Sequence, residues 1–282
     1  MVVDKVEVLI LVENTVYRHS LLAEHGFSAL VTVKDANKSF TLLFDTGQTG
    51  DALLKNAAEL KAPLEKIEAI VISHGHYDHG GGLLKLKNRL AGRKVYIHPD
   101  AFTPKYKKSK HETRYIGLDY KPDNLYPYFH LVLSREPTLI DENVMTTGEI
   151  PKTTDFEEAD IKLCIKKNDS FEPDPLVDEQ ALIIKHKEGL IVIVGCSHPG
   201  IINILRHAVN MADNNRIYAV IGGFHLLGAS KERIAKTVNE LQMLRVQRVV
   251  PLHCTGFTAK MMIAKAIPQA FIDASTGTLI EL

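Results

Sequence analysis

Apolar and polar residues along the chain follow patterns that predict strands and helices in alternation. Ser28 to Lys34 and Ser39 to Phe44 are rich in β-branched and apolar residues, and the turn-forming sequence DANK joins them, which predicts a β-hairpin. Beyond the hairpin, helical spacing alternates with short apolar runs. These segments predict a helix at 51–60, a strand at 67–73, a helix at 83–90 and a strand at 94–98.

The second half of the chain repeats this rhythm. A buried-type strand at 190–196 is followed by apolar residues at helical spacing from Ile201 to Val209, and a strand is predicted at 216–221. Ser230 is a suitable cap for a helix whose apolar face includes Ile234 and Leu241. A strand at 248–252, a helix at 257–266 and a last strand pair at 271–282 follow. Two halves of this kind predict a layered α/β fold.

The middle of the chain, residues 99–178, has a different character. Eight of its residues are proline, so we expect mostly loops, short helices and excursions from the sheet. Its charge is also uneven: residues 101–121 hold six basic against two acidic side chains, a net of +4, and residues 136–179 hold four against thirteen, a net of −9. The overall neutrality of the chain, with 34 basic and 34 acidic side chains, therefore conceals a basic segment followed by an acidic one.

Composition excludes several classes of protein. No apolar run approaches the roughly 18 residues of a membrane helix, so we expect no membrane partner. No signal peptide is recognisable at the start, and Cys164, Cys196 and Cys254 are odd in number and far apart. Both features favour a reducing, cytoplasmic location. A neutral chain also lacks the general basic field of a nucleic-acid binder.

A cluster of metal-binding residue types follows the predicted strand at 67–73. His74, His76, Asp78 and His79 lie within six residues, with Gly75 among them and three glycines after. His74 and His76 fall on one side of an extended backbone, while Asp78 and His79 fall where a helix begins and point to a second position. Because metal ligands must converge to about 2.0–2.2 Å from the ion, this spacing predicts two adjacent metal sites.

The sequence from His74 to His79 resembles the HxHxDH motif of the metallo-β-lactamase superfamily. The other motifs appear in order, as Asp45 in LLFDTG, His198 in VGCSHPG and His253 in VVPLHCT. The resemblance implies a four-layer αββα sandwich formed by one domain over residues 1–282, with a substrate-side excursion at about 99–178. It also implies that Asp45 supports the ligand loop. The implied ligands are His74, His76 and His198 for the first metal, and Asp78, His79 and His253 for the second.

One element departs from the family pattern. The superfamily usually places a bridging Asp at the end of the strand that corresponds to AVIGGFHL, and this chain has no carboxylate there. His225 is the nearest candidate, as a terminal ligand, a hydrogen-bond donor to substrate or a structural residue. Cys196 shares a strand face with His198, and it either reaches the metal or packs beneath the site. One or two divalent ions are implied, with zinc expected first and manganese or iron as alternatives.

Several segments resemble one subgroup of the superfamily more narrowly, among them TTGEIP, DEQALIIKHKEGLIVIVGCSHPG and PLHCTGF. That subgroup carries the name of a dihydropterin-ribofuranosylaminobenzene-phosphate synthase, which condenses a pterin diphosphate with an arylamine. We expect a metal-dependent hydrolase that uses metal-bound hydroxide on a phosphorylated small molecule, with Asp78 and His225 as catalytic residues. The alternatives are the condensing synthase and a non-catalytic metal or ligand sensor.

The basic segment supplies candidates for substrate recognition. Lys107, Lys108 and Arg114 are interleaved with tyrosines, a composition that suits either a lid for an anionic substrate or a solvated loop. Apolar residues near Tyr126 to Val132 are candidates for a homo-oligomer interface.

Overall fold

The computed structural model describes residues 3–36, 38–158, 160–168, 170–212 and 216–282. The strands are β1 (Lys5–Val12), β2 (Ser28–Lys34), β3 (Ser39–Phe44), β4 (Ala69–Val71), β5 (Lys94–Ile97), β6 (Lys105–Lys108), β7 (Thr113–Tyr115), β8 (His130–Leu133), β9 (Thr138–Asp141), β10 (Val144–Thr146), β11 (Leu163–Lys167), β12 (Ser170–Pro173), β13 (Leu182–His186), β14 (Gly189–Val194), β15 (Ile217–Gly223), β16 (Arg248–Leu252) and β17 (Leu279–Glu281).

The helices are α1 (Asp51–Glu59), α2 (Tyr77–Gly80), α3 (Pro122–Leu125), α4 (Ile201–Ala212), α5 (Lys231–Met243) and α6 (Phe257–Ala266). Short 3₁₀ turns lie at Leu64–Lys66, Leu83–Leu86, Pro99–Phe102 and His253–Thr255. None of the helices in the described ranges is long and apolar enough to cross a membrane.

Two large sheets form the centre of the molecule. The first has seven strands in the order β17-β1-β2-β3-β4-β5-β8, and the second has six in the order β16-β15-β14-β13-β10-β9. The predicted hairpin is confirmed, because β2 and β3 pair antiparallel from Lys34 opposite Ser39 to Ala29 opposite Phe44. Strand β14 is buried at every position, as expected for a strand covered on both faces of its sheet.

The inner faces of the two sheets pack against each other and form the main core. Val8, Val31, Ile184, Ile191 and Val250 all belong to this core, which therefore joins residues from both halves of the chain. Burying each such side chain contributes about 1.5–3 kcal/mol. One domain over residues 1–282 requires such a shared core. The limits of that domain stay a prediction.

Helices cover the two outer faces of the sheets. On the second sheet, α4, α5 and α6 pack through a second core that includes Leu205, Leu241 and Ile263. On the first sheet, α1 packs through a third core that includes Leu53. Ser230 caps α5 as predicted, since its hydroxyl accepts a hydrogen bond of 3.1 Å from Arg233 N. The order helix, sheet, sheet, helix confirms the αββα sandwich.

Two of the predicted elements were wrong. The helix expected at 83–90 is a 3₁₀ turn over Leu83–Leu86, and because leucines three apart share a face in both kinds of helix, their spacing did not distinguish the two. Of the strand pair expected at 271–282, Leu279–Glu281 forms a strand, whereas Phe271 makes an isolated bridge to Val249.

The segment 99–178 contains more regular structure than its prolines predicted. Strands β8, β9 and β10 return to the two large sheets, and a third sheet forms in the order β12-β11-β6-β7. Strands β7 and β12 are exposed at every position, so their sequences lack the alternation of apolar and polar residues that identifies a half-buried strand. The third sheet lies beside the candidate site.

Candidate metal centre

The predicted metal-binding residues come together at one edge of the two large sheets. Each of them follows the carboxyl end of a strand, where open α/β sheets place their sites. The residues after β3, β4, β14, β15 and β16 include, in that order, Asp45, His74, His198, His225 and His253. Widely separated parts of the sequence therefore supply neighbouring side chains.

The backbone at this edge is held in an uncommon conformation. Asp45, Ser197, His225 and His253 have φ values of 58°, 62°, 48° and 46°, in the left-handed region that residues other than glycine rarely adopt. Each such residue costs about 1–3 kcal/mol, and such strain concentrates at functional sites. The turns aim side chains from the strand ends into one shared space.

The turn that carries the HxHxDH motif is fixed by its neighbours. His76 has an extended backbone with φ −94° and ψ 146°, and α2 begins at the next residue. A Cβ on Gly75 would lie 2.0 Å from the carbonyl oxygen of Ala101, so this position requires glycine. The Gly75 amide donates a 2.8 Å hydrogen bond to Oδ2 of Asp178. These contacts hold the imidazoles on either side of Gly75 in place.

His74, His76 and His198 form the first donor set. One ligand atom of each lies within 4.8 Å of the others, and Nε2 of His74 is 3.0 Å from Nδ1 of His76. Burial lowers the pKa of both His74 and His76 well below the usual value, and neighbouring imidazoles lower it further. Both rings are therefore neutral, the form that binds a metal.

Hydrogen bonds determine which nitrogen of each ring faces the site. The Ser73 hydroxyl donates to Asp45 Oδ2 at 2.8 Å, so it accepts from Nδ1 of His74, also at 2.8 Å. Nδ1 of His198 donates to Oε2 of Glu179 at 2.5 Å. Nε2 of His74 and of His198 is consequently the nitrogen available to a metal, in the arrangement typical of metal-bound histidines.

Asp78, His79 and His253 form the second donor set. Nε2 of His253 lies 3.3 Å from Nε2 of His79 and 3.4 Å from Oδ2 of Asp78. Nδ1 of His79 donates to Asp45 at 2.7 Å, and Nδ1 of His253 donates to Oδ1 of Asn14 at 2.9 Å. The two Nε2 atoms therefore face each other, an arrangement that needs either a proton or a metal cation between them.

The electrostatics of this set favour positive charge. Burial alone would lower the pKa of His79, but the carboxylates of Asp45 and Asp78 raise it to about 9. Burial would likewise raise the pKa of Asp78, yet His79, His25 and His253 hold it well below its usual range. Asp78 is therefore an anion that accepts hydrogen bonds and attracts a cation.

The residues present fit a divalent metal. Nδ1 of His225 is buried and has no hydrogen-bond partner among the described residues, a state that costs about 1–3 kcal/mol for a polar atom. A metal ligand bond would satisfy such an atom. Nitrogen and carboxylate donors in this number and arrangement suit zinc, and also manganese or iron.

Sequence reasoning missed four side chains that orient or extend the donor sets. They are Glu179 and Asn14, described above; Glu13, whose Oε1 accepts from His253 N at 2.8 Å; and His25, whose Nε2 lies 3.1 Å from Asp78 Oδ2. Glu13 and Asn14 directly follow the carboxyl end of β1, a position that predicts a site residue. Glu179 lies within DEQALIIKH, where the resemblance alone marked it.

A cavity of about 150 Å³ opens onto both donor sets. The third sheet supplies one wall, on which Lys107 and Arg114 pair across β6 and β7 and line the cavity. Lys108, the third predicted substrate contact, is not part of this lining. It lies on the other face of β6, where its Nζ is 4.6 Å from the ring centre of Phe171.

Comparison with known proteins agrees with this arrangement. The sequence model of the metallo-beta-lactamase superfamily matches residues 23–251. The chain is 36% identical to an uncharacterised protein of Methanocaldococcus jannaschii, over 97% of this chain and 99% of that protein. It is 32% identical to the 7,8-dihydropterin-6-methyl-4-(beta-D-ribofuranosyl)-aminobenzene-5'-phosphate synthase of the same organism, over 99% of this chain and 97% of the synthase.

A solved structure is also similar along the whole chain. It is described as a metal-dependent hydrolase of the beta-lactamase superfamily, and it matches with a TM-score of 0.81 and 35% identity, over 98% of this chain and 99% of the other. The motifs, the fold and these matches lead to one conclusion. The chain belongs to the metallo-β-lactamase superfamily.

Proposed function

We propose that the chain is a metal-dependent hydrolase that acts on a phosphorylated small molecule. The observation that carries the proposal is the position of Lys107 and Arg114 on the wall of a cavity that also contains His76, His198 and Asp78. Cationic side chains beside two metal-binding donor sets attract an anionic substrate and hold it next to the ions.

In this proposal His74, His76 and His198 hold one ion, and Asp78, His79 and His253 hold a second. A divalent ion bound there would supply an activated water at neutral pH and charge to stabilise the leaving oxygen. We expect zinc in both positions, with manganese or iron as alternatives. Asp45, Glu179 and Asn14 hold the rings of His79, His198 and His253 in the required orientation.

The chain's own residues then position the reactants. The Asp78 carboxylate accepts a hydrogen bond from the attacking water and so orients it. His25 holds this carboxylate in place, because its Nε2 lies 3.1 Å from Oδ2 of Asp78. The His225 ring lies 4.5 Å from the His198 ring, between centroids, and borders the cavity. It serves either as a proton donor to the leaving oxygen or as a further metal ligand.

A second candidate is a condensing synthase, in which an amine rather than water displaces a diphosphate. The match of 32% identity over nearly the full length of the M. jannaschii synthase favours it. The same donor sets would neutralise the departing diphosphate, and the same cationic wall would hold the substrate. The two reactions differ in the nucleophile that reaches the cavity.

One experiment separates the candidates. The purified protein is analysed for metal, stripped, reloaded with Zn²⁺, Mn²⁺ or Fe²⁺, and assayed with phosphodiesters, phosphomonoesters, lactones, thioesters and a pterin diphosphate with an arylamine. Hydrolysis without amine supports the hydrolase, whereas product formation that requires the arylamine supports the synthase. Bound metal without any turnover supports a sensor, and a chain that binds no metal contradicts both enzymatic proposals.

The variant His76→Ala tests the ligand assignment. It removes a member of the first donor set, whose Nδ1 lies 3.0 Å from Nε2 of His74, so turnover and metal content should fall while the circular dichroism spectrum stays unchanged. His130→Ala, at an exposed position of β8, is the matched control and should keep both. Full activity in His76→Ala would show that the assignment is wrong.

A further inference from the structure

Three further donors lie beside the histidine centre and belong to neither of the two donor sets defined above. Cys196, His225 and Cys254 each offer one ligand atom, and these atoms lie within 4.8 Å of one another. Cys196 is 4% exposed, whereas His225 and Cys254 are half-buried and line the cavity. The third cysteine of the chain, Cys164, lies in β11 of the third sheet.

The fold builds this cluster from three adjacent strands. Cys196, His225 and Cys254 follow the ends of β14, β15 and β16, which pair parallel side by side. The amide of His225 donates to Sγ of Cys254 at 3.3 Å. A Cβ on Gly223 would lie 2.6 Å from that sulphur, so the absence of a side chain there leaves the space that Cys254 occupies.

The chemistry of the cluster indicates what it binds. Two sulphurs and an imidazole are the soft donors that zinc prefers, and Nδ1 of His225 is buried with no partner in the described part of the chain. Around a tetrahedral zinc ion two sulphurs are separated by about 3.8 Å, so the three side chains need little movement to converge. We propose that Cys196, His225 and Cys254 form a thiolate and imidazole site for a zinc-class ion.

The thiolates of this site would replace the negative charge of the bridging carboxylate that this chain lacks. The chain has no carboxylate after β15 where the superfamily usually places one, and the two cysteines supply anionic ligands within the same edge of the sheet. Sγ of Cys196 is also 3.2 Å from Nε2 of His79, so this sulphur connects the new site to the second donor set. The centre should consequently prefer zinc over manganese, because manganese favours oxygen ligands.

The proposal rests on the metal-binding part of the proposed function and is independent of hydrolysis, so its test is spectroscopic. The stripped full-length protein is titrated with Co²⁺ in the presence of a reductant that is not a thiol. A sulphur-to-cobalt charge-transfer band should appear in the near ultraviolet. It should fall by about half in Cys196→Ser and in Cys254→Ser, since each removes one of two thiolate ligands, and keep its intensity in the control Cys164→Ser.

Alkylation of the wild-type protein gives a second measurement that no folding defect can affect. Saturating Zn²⁺ should protect Cys254 from iodoacetamide, as read by mass spectrometry of its peptide. The absence of the cobalt band in the wild-type protein would overturn the proposal, as would a Cys254 whose alkylation zinc leaves unchanged or a Cys196–Cys254 disulfide in the purified chain. Loss of enzymatic activity with the band intact would contradict the proposed function alone.

Discussion

Lys105 and Asp178 form a buried ion pair that connects the third sheet to the metal-binding turn. Nζ of Lys105 lies 2.9 Å from Oδ1 of Asp178, and Oδ2 of the same carboxylate accepts the hydrogen bond from the Gly75 amide. Nζ is also 2.9 Å from Asp174. A single cation thus pairs with two buried carboxylates, one of which holds the backbone between His74 and His76.

Replacing this lysine should destabilise the fold. In Lys105→Met both carboxylates lose their counter-charge inside the protein, and removing one partner of a buried ion pair costs about 3–5 kcal/mol. The free energy of unfolding, measured with urea, should fall by that amount. Lys108→Met, at the exposed end of the same strand, should lose about 1 kcal/mol or less, the value of an exposed cation–π contact. Equal losses in the two variants would contradict the role given to Lys105.

Glu179 should control metal affinity without touching the metal. Its carboxylate accepts from Nδ1 of His198 and from the amides of Cys196 and Ser197, at 3.1 and 2.6 Å for the amides. In Glu179→Gln the amide group cannot accept all of these bonds, so the ring of His198 loses its fixed orientation. Zinc affinity, measured by competition with a chelator, should fall by about 10- to 100-fold.

The matched control for that variant is Glu188→Gln, which changes a carboxylate at the other end of the β13–β14 hairpin, 3.4 Å from Arg216. Its zinc affinity should equal that of the wild-type protein. If Glu179→Gln also binds zinc normally, the hydrogen bond to His198 does not determine ligand geometry.

Lys107 and Lys108 are adjacent in sequence and lie on opposite faces of β6, so they test substrate attraction as a pair. Lys107→Ala removes a cation from the cavity wall and should raise KM for a phosphorylated substrate about fivefold, the effect of about 1 kcal/mol at an exposed site. Lys108→Ala should leave KM unchanged. A KM that responds to neither variant, or equally to both, would place the substrate elsewhere.

His186 predicts a pH dependence of stability. Its ring stacks on Tyr218 at 5.1 Å between centroids, Nε2 donates to the carbonyl of Asp4 and Nδ1 accepts from Glu188 N. Burial lowers its pKa below 6.5, because the charged ring would lose its hydration. Protonation of Nδ1 would also break the bond from Glu188. The neutral ring therefore stabilises the fold at a pH above 6.5, and this stability is lost as the pH falls through the lowered pKa.

The comparison with His186→Phe isolates this effect, since phenylalanine keeps the stacking and does not titrate. The difference in unfolding free energy between wild type and variant should decrease from neutral pH towards pH 5. A difference that stays constant over that range would show that His186 does not titrate on unfolding.

The sequence predicted the elements whose local signals agree with their packing. Helix α6 has the predicted bounds, 257–266. Strand β14 begins one residue before the predicted 190–196, and the prediction succeeded because a run of consecutive apolar residues suits a strand covered on both faces. Strand β6 was missed because Lys105 is buried by an ion pair with residues about 70 positions away. No local pattern predicts such a partner.

The sequence likewise predicted some residues of the candidate site and not others. The positions of His74, His76, Asp78 and His79 were evident because the ligands are close in sequence, and the family resemblance placed His198 and His253. Contacts such as Asn14 with His253 join residues 239 positions apart, so only the folded chain reveals them. His25 was missed for the same reason, because it lies between β1 and β2 whereas its partner Asp78 lies in α2.

The third sheet lines the substrate cavity but supplies none of the assigned metal ligands, so substrate recognition and metal coordination come from different parts of the fold. Lys107, Arg114 and Leu163, on the cavity wall, belong to strands of this sheet, whereas the assigned metal ligands follow strands of the two large sheets. Substitutions in residues 106–115 can therefore change which molecule is admitted while the ions keep their coordination. A library confined to that segment should yield variants with new substrate preferences and unchanged metal content.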